Sequence, residues 1–392
     1  MSLPAPVAYV SNQREILVLD RHERTHNHTL DLDGPIMWGT WQLGTPKPAP
    51  FSWPTWSPDG RHLACFRLPS DAIPRASVFV HDAGGVSSME LLDLGQRLPI
   101  YLHWAPDGSQ VAVLCQKRDR LQLSTVHPDA IGSELSLAEG SPLFFTWADT
   151  ERVAAFVGAL DGSASQIALL DVAAREPPIL LPGDAGSFCA PLCLGDRVYY
   201  VTQEEGHTRL VHARAGDERA TVIEELPGLV ALVGSPDGRS IARAVAPDGD
   251  GTPYRHIALV DAETSEVREI ADLPCLAFQW VPGGEHLVVA RVDTERNLLE
   301  WLRMDLDGHV EPLCSMYPTR DLGFYLRFFE QYVQSHPLVD PSGRYLLLAG
   351  TMEDTAGSDN TPHIWRVALD GSETEAIDEG LFAVWGPPDA PL

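Results

Sequence analysis

The sequence predicts an all-β protein, a single closed β-propeller of four-stranded blades, on three observations. A short apolar segment ending in Trp and followed by a Pro-Asp-Gly turn recurs along the chain. The copies are spaced by about one blade length, roughly 40–50 residues. Between copies, short β-branched and aromatic runs alternate with turn residues, which is the pattern of strands rather than helices.

The clearest anchors are Trp56-Ser57-Pro58-Asp59-Gly60 and Trp104-Ala105-Pro106-Asp107-Gly108. Degraded copies begin at Trp147, Cys193, Gly234, Trp280, Val339 and Trp385. From first residue to first residue the intervals are 48, 43, 46, 41, 46, 59 and 46. After each turn comes an apolar strand such as Val111–Cys115, then a variable loop. A second strand follows that often ends in Asp, as at Asp20, Asp82, Asp171, Asp261, Asp305 and Asp370. Strands named A to D from the inside outward follow, with the Pro-Asp-Gly turn joining A to B. Asp bonds its own backbone in such a turn and Gly supplies positive φ, so these residues are scaffold. The anchor Trp rings are expected to fill the space between neighbouring blades.

The chain ends complete the count. Residues 7–33 supply strands B, C and D of a blade with no anchor before them, and 381–386 supply its missing A strand. The C-terminal strand would thus join the N-terminal blade and remove the exposed edges. Eight blades are expected within one domain, 1–392, seven being the alternative if the copy around Cys193 is an irregular connection.

These anchors resemble PD40 repeats, the WD40-like repeats of TolB-like propellers. The propeller domains of prolyl-oligopeptidase-like proteins are similar. The resemblance covers nearly the whole chain and implies the fold. It implies no activity, because propellers of this class include binding modules, enzyme lids and enzymes. The oligopeptidases carry a hydrolase domain with G-x-S-x-G. Here Gly234-Ser235-Pro236-Asp237-Gly238 is a turn, and the sequence holds no such serine hydrolase elbow.

Charge narrows the partners. The chain has 28 Lys+Arg against 55 Asp+Glu, a net charge of −27. This acidic protein would repel nucleic acid and anionic membrane surfaces. No signal peptide or membrane span is expected, and the six cysteines contain no C-x-x-C pair, so a cytoplasmic location with free thiols is expected. The protein is expected to act as a monomer on a protein, peptide or small-molecule ligand.

D-to-A and B-to-C loops emerge on one face, where insertions leave the ring intact. The long ones are Asp33–Pro50, Pro69–Arg75, Cys314–His336 and Met352–Pro362, which belong to neighbouring blades 7, 8, 1 and 2. A binding face over that arc is expected. The insert at 314–336, between blades 7 and 8, is the one clear helix, near 319–334. Leu322, Tyr325, Leu326, Phe329, Tyr332 and Val333 form its apolar stripe. Thr319 or Asp321 would cap it and Pro337 would stop it. The run Phe328–His336 looks like a segment of stand-alone bacterial PD40 proteins and brings no activity with it.

Candidate ligand- or partner-binding residues are Trp38, Trp41, Arg320, Tyr325, Phe328, Glu330, Gln331, His336, Glu353 and Asp354. As an alternative, a lyase- or hydrolase-like enzyme would use His336 or His103 as acid/base and Glu330, Glu353 or Asp354 as partner at the channel mouth. No cofactor is required; a divalent metal in the central channel would accompany the enzyme reading. His26 and His28 share i, i+2 spacing on a strand, a geometry a metal can use, although an outer strand makes a poor site.

Overall fold

A computed structural model describes residues 3–28, 50–70, 75–85, 87–160, 164–186, 189–249, 253–355 and 361–390. Its strands form six four-stranded antiparallel sheets and one seven-stranded sheet. The inner strands, in chain order from blade 2 to blade 7, are Phe51–Trp56, Leu98–Trp104, Leu143–Trp147, Leu192–Leu194, Leu229–Gly234 and Ala277–Trp280. Blade 1 takes its inner strand from the other end of the chain: Phe382–Trp385 pairs with Val7–Val10, in the register Val7↔Trp385 to Val10↔Phe382. Inner strands of successive blades pack side by side, as in a propeller.

The anchors act as expected. Trp56, Trp104, Trp147, Trp280 and Trp385 are all buried. Three of them also bond the blade before. The indole N–H of Trp104 donates to the carbonyl of Thr55 at 3.0 Å, Trp147 to His103 at 3.3 Å, and Trp280 to Val233 at 2.9 Å. The turn carboxylates cap their own loops: Asp59 accepts from the Arg61 N–H, Asp107 from Ser109 and Asp237 from Arg239. The aspartates that close the third strands do the same in the next turn, as Asp261 does for Glu263 and Thr264.

Blade 8 departs from the pattern. Its innermost segment is reduced to a single bridge, Val339↔Leu346, with Leu347 N–H donating to Leu338 at 2.8 Å. The outer strand of blade 7, Val310–Pro318, pairs instead with the strand Tyr345–Met352 at Met316↔Met352, Tyr317↔Thr351 and Pro318↔Gly350, which merges blades 7 and 8 into the seven-stranded sheet. Gly350 permits this approach, since a Cβ there would stand 2.1 Å from the Tyr317 carbonyl oxygen. The 59-residue interval in the repeat is this junction together with the helical insert that leaves from it. No helix among the described residues is long and apolar enough to cross a membrane.

Candidate functional site

The insert begins where Pro318 leaves the sheet. Thr319 is the N-cap of α1 (Arg320–Arg327): its hydroxyl accepts from the Leu322 N–H at 3.1 Å and donates to the Leu381 carbonyl at 2.6 Å. Asp321, in the first turn, holds Arg14 of blade 1 through two bonds of 2.6 and 3.2 Å. The single helix expected over 319–334 is broken. Phe328 leaves helical geometry at φ −123°, ψ 31°, and α2 (Phe329–Tyr332) follows. The break lets two neighbours face different ways. Phe328 stays beside Phe324 and Phe144, at ring distances of 5.0 and 6.3 Å. Phe329 turns down between Phe278 and Tyr254, at 5.0 and 5.9 Å.

The stripe of the insert meets the inner strands of blade after blade. Tyr325 packs on Phe382 of blade 1, and Tyr332 on Trp53 of blade 2 at 4.7 Å. In blade 3, Tyr332 donates its hydroxyl to the Ile100 carbonyl, and Tyr101 donates to the Gln331 carbonyl at 2.9 Å. Thr146 of blade 4 bonds Gln334, while blades 5 and 6 reach Glu330. The insert is therefore a plug seated at the end of the channel where the inner strands begin. Two cavities flank it. One, of about 550 Å³, opens on the loop face over blades 3 to 6, among Ile100, Leu143, Phe144, Leu229, Tyr254 and Phe328. The other, of about 340 Å³, lies within the channel toward the opposite face, beside Trp147, Gly234 and Trp280.

Glu330 lines both cavities. Its carboxylate accepts from the Ala190 N–H and from the Tyr254 hydroxyl, each at 3.3 Å, and from the Cys189 thiol at 3.8 Å. The cavities leave part of the residue accessible, yet protein closes round the carboxyl. Burial pushes its pKa up to about 8, against the lowering effect of those donors. Burial likewise raises the Tyr254 hydroxyl and the Cys189 thiol, so both stay protonated at neutral pH. Gln331 also lines the loop-face cavity; it is buried, and its side-chain oxygen has no hydrogen-bond partner among the described residues.

The other candidates fall in different places. His336 is fully buried under the plug, its Nδ1 2.7 Å from Ser335 Oγ and its Nε2 2.9 Å from Thr55 Oγ1, and it lines neither cavity. Burial lowers its pKa to about 3, and that of His103 likewise to about 3, so both are neutral where an acid/base would have to act. Tyr325, expected to face a ligand, is core instead, because the stripe turns it onto Phe382 and Tyr332. Glu353 is held by Arg296 through two 2.9 Å bonds, in a surface network with Asp293 and Glu300. Asp354 and Arg320 are exposed. His26 turns to Asp20 at 3.3 Å, whereas His28 packs edge-on against His81, so the pair is split. Among the described residues no group of three or more His, Cys, Asp or Glu could hold a metal ion. Trp38 and Trp41 lie outside the described residues.

Trp53 and Tyr254 are among the aromatic residues of the site that the sequence reading did not single out. Trp53 adopts φ +56° at a bulge in its strand, which points its ring at Tyr332, Phe324 and Phe382. The extra Trp before Pro54, three residues ahead of the anchor, was the available signal. Tyr254, just after a B-to-C loop, carried none.

No family model and no curated protein matches this sequence. Solved structures do. A prolyl endopeptidase superposes with a TM-score of 0.56 at 11% identity, over 85% of this chain and 49% of that one. A eukaryotic initiation factor superposes at 0.53 and 12% identity, over 99% of both chains. TolB from Acinetobacter baumannii is also found, at 0.42 and 13% identity, over 78% of this chain and 65% of that one. The chain thus spans about half the length of the endopeptidase and just under two thirds of that TolB. At these identities the likeness shows the propeller fold alone.

Proposed function

We propose that the protein is a ligand-binding propeller whose seat is the loop-face cavity over blades 3 to 6, floored by the plug. The observation that carries this reading is a cavity of about 550 Å³ with mostly apolar walls and one enclosed carboxyl, that of Glu330. Ligand pockets have this size and this composition, apolar walls with a few convergent polar groups. The cavity is built by an insert that the repeat itself does not need. The sequence put the binding face over blades 7, 8, 1 and 2; the seat proposed here is the other half of the same face. Many of the loop residues behind that expectation, 33–49, 71–74 and 356–360, lie outside the described residues. The setting we propose is cytoplasmic, in keeping with unpaired thiols of which Cys65, Cys115, Cys189 and Cys275 are buried.

The test is a ligand-observed NMR screen of small apolar fragments against wild type and Leu229→Trp. Leu229 lines the cavity from the start of its strand, so the larger ring fills the space. Fragments that bind wild type and are lost in Leu229→Trp support the reading. Fragments that bind both proteins equally place binding elsewhere and contradict it.

A further inference from the structure

We infer that the loop-face cavity selects an organic cation, a primary ammonium carried on an apolar body, with Glu330 receiving the ammonium group; this rests on the cavity being the binding seat.

Among the described residues only two that line it are charged, Glu330 and Arg327. They differ in position. Arg327 is exposed and lies over the Phe328 ring at 5.7 Å, at the mouth. Among the described residues no ion pair joins it to Glu330. Water and salt screen an exposed cation, whereas a charge enclosed by protein acts through a low dielectric. The field inside the cavity is therefore set by Glu330. The carboxylate's own donors are weak. Two oxygens can accept about four hydrogen bonds. Here they have two long bonds of 3.3 Å, from Ala190 and Tyr254, a thiol contact and the Leu232 backbone N–H, all neutral donors. An ammonium brings three N–H donors and a positive charge to that place. The rings of Phe324, Phe328, Tyr254 and Tyr332 line the same space, and aromatic faces attract cations. Apart from Gln331, whose side-chain oxygen is an acceptor, the remaining wall is made largely of Ile100, Leu114, Leu121, Leu143 and Leu229, so the remainder of the ligand is mainly apolar.

A buried carboxyl links this binding to protons. The groups around Glu330 are the Cys189 thiol and Ala190 N–H on one side, and the Tyr254 hydroxyl and the Leu232 backbone on another. Gln334 adds its amide on the Glu330 carbonyl, and Arg327 ends α1, three residues before Glu330 across the break. Cys189 and Tyr254 stay protonated, so Glu330 is the group that titrates there. With its midpoint near 8, the carboxyl must lose a proton before it can pair with the ammonium.

The experiment is calorimetry of 4-phenylbutylammonium and of 4-phenylbutanol, its neutral counterpart, at pH 6 and pH 8. An alkyl ammonium is charged at both values. The expected result is that wild type binds the amine on the order of fiftyfold more tightly at pH 8 than at pH 6, following the ionised fraction of Glu330. The alcohol should bind with no pH dependence, and Glu330→Gln should erase the preference for the amine while still binding the alcohol. If Glu330→Gln does not fold, the wild-type pH profile decides alone. An amine affinity flat in pH, or an alcohol as tight as the amine at pH 8, overturns the cation while leaving the cavity as a site. If neither compound binds wild type, the cavity reading fails and the cation with it.

Discussion

The indole N–H of Trp104 donates to the backbone carbonyl of Thr55 at 3.0 Å, across the boundary between blades 3 and 2. Trp147 and Trp280 repeat the bond to the residue before the preceding anchor, whereas among the described residues the indoles of Trp56 and Trp385 have no acceptor. The repeat thus carries a hydrogen bond between blades as well as packing volume. Trp104→Phe should keep most of the packing and leave the Thr55 carbonyl unpaired, at a cost of about 1 kcal/mol. Trp280→Phe lies several blades away and should add to it. Urea unfolding of the two single variants and the double checks both expectations.

Arg14 and Asp321 tie blade 1 to the plug through two hydrogen bonds between partly buried side chains. An ion pair of this kind is worth about 1 kcal/mol, above the median of exposed pairs because its geometry is bidentate. A double-mutant cycle of Arg14→Ala and Asp321→Ala should give a coupling of that size, falling in 0.5 M salt.

Glu330 should make stability depend on pH in an unusual direction. Its folded pKa lies near 8, above the roughly 4.3 of an unfolded glutamate. Between those values the native state binds more protons than the unfolded state, so this group costs stability as pH rises through the window and no more above it. Glu330→Gln lacks the effect. Denaturant midpoints at pH 5, 7 and 8.5 should therefore shift in favour of the variant as pH rises.

Histidines held below their ordinary range work the other way. Burial holds His28 near 4, and His81, His103 and His336 near 3. Each lies below the roughly 6.5 of an unfolded histidine, so the unfolded state binds more protons between pH 6.5 and the folded values. Stability should fall as pH drops through 6.5 toward 4, before most carboxylates protonate. His81→Phe replaces a ring stacked on Phe79 with another ring and should lose less stability than wild type between pH 6.5 and 4.5.

The scaffold was legible because its signals are local. A Trp, a Pro-Asp-Gly turn and a third-strand Asp each report on a turn or strand within a few residues, and their spacing reports the blade. The apolar stripe of 322–333 likewise named the face that packs. What stayed hidden depends on chain segments far apart. The break at Phe328 has no proline or glycine to announce it; it answers to rings supplied by blades 4, 6 and 7. Glu330 could be nominated as polar near the channel, but the carboxyl is enclosed by Ala190 and Tyr254, and no sequence pattern joins those three positions. Tyr325 and Glu353 looked available in sequence and are occupied, one by Phe382 and the other by Arg296. The shrunken inner strand of blade 8 was visible only as a long interval.

The most direct test of the plug-and-cavity account is the ¹³C titration of the Glu330 carboxyl, assigned by its loss in Glu330→Gln. A midpoint near pH 8 is expected in the free protein, because the carboxyl is enclosed between two cavities beneath Phe328. A midpoint in the ordinary carboxylate range, about 4 to 5, would show the carboxyl open to water and contradict it.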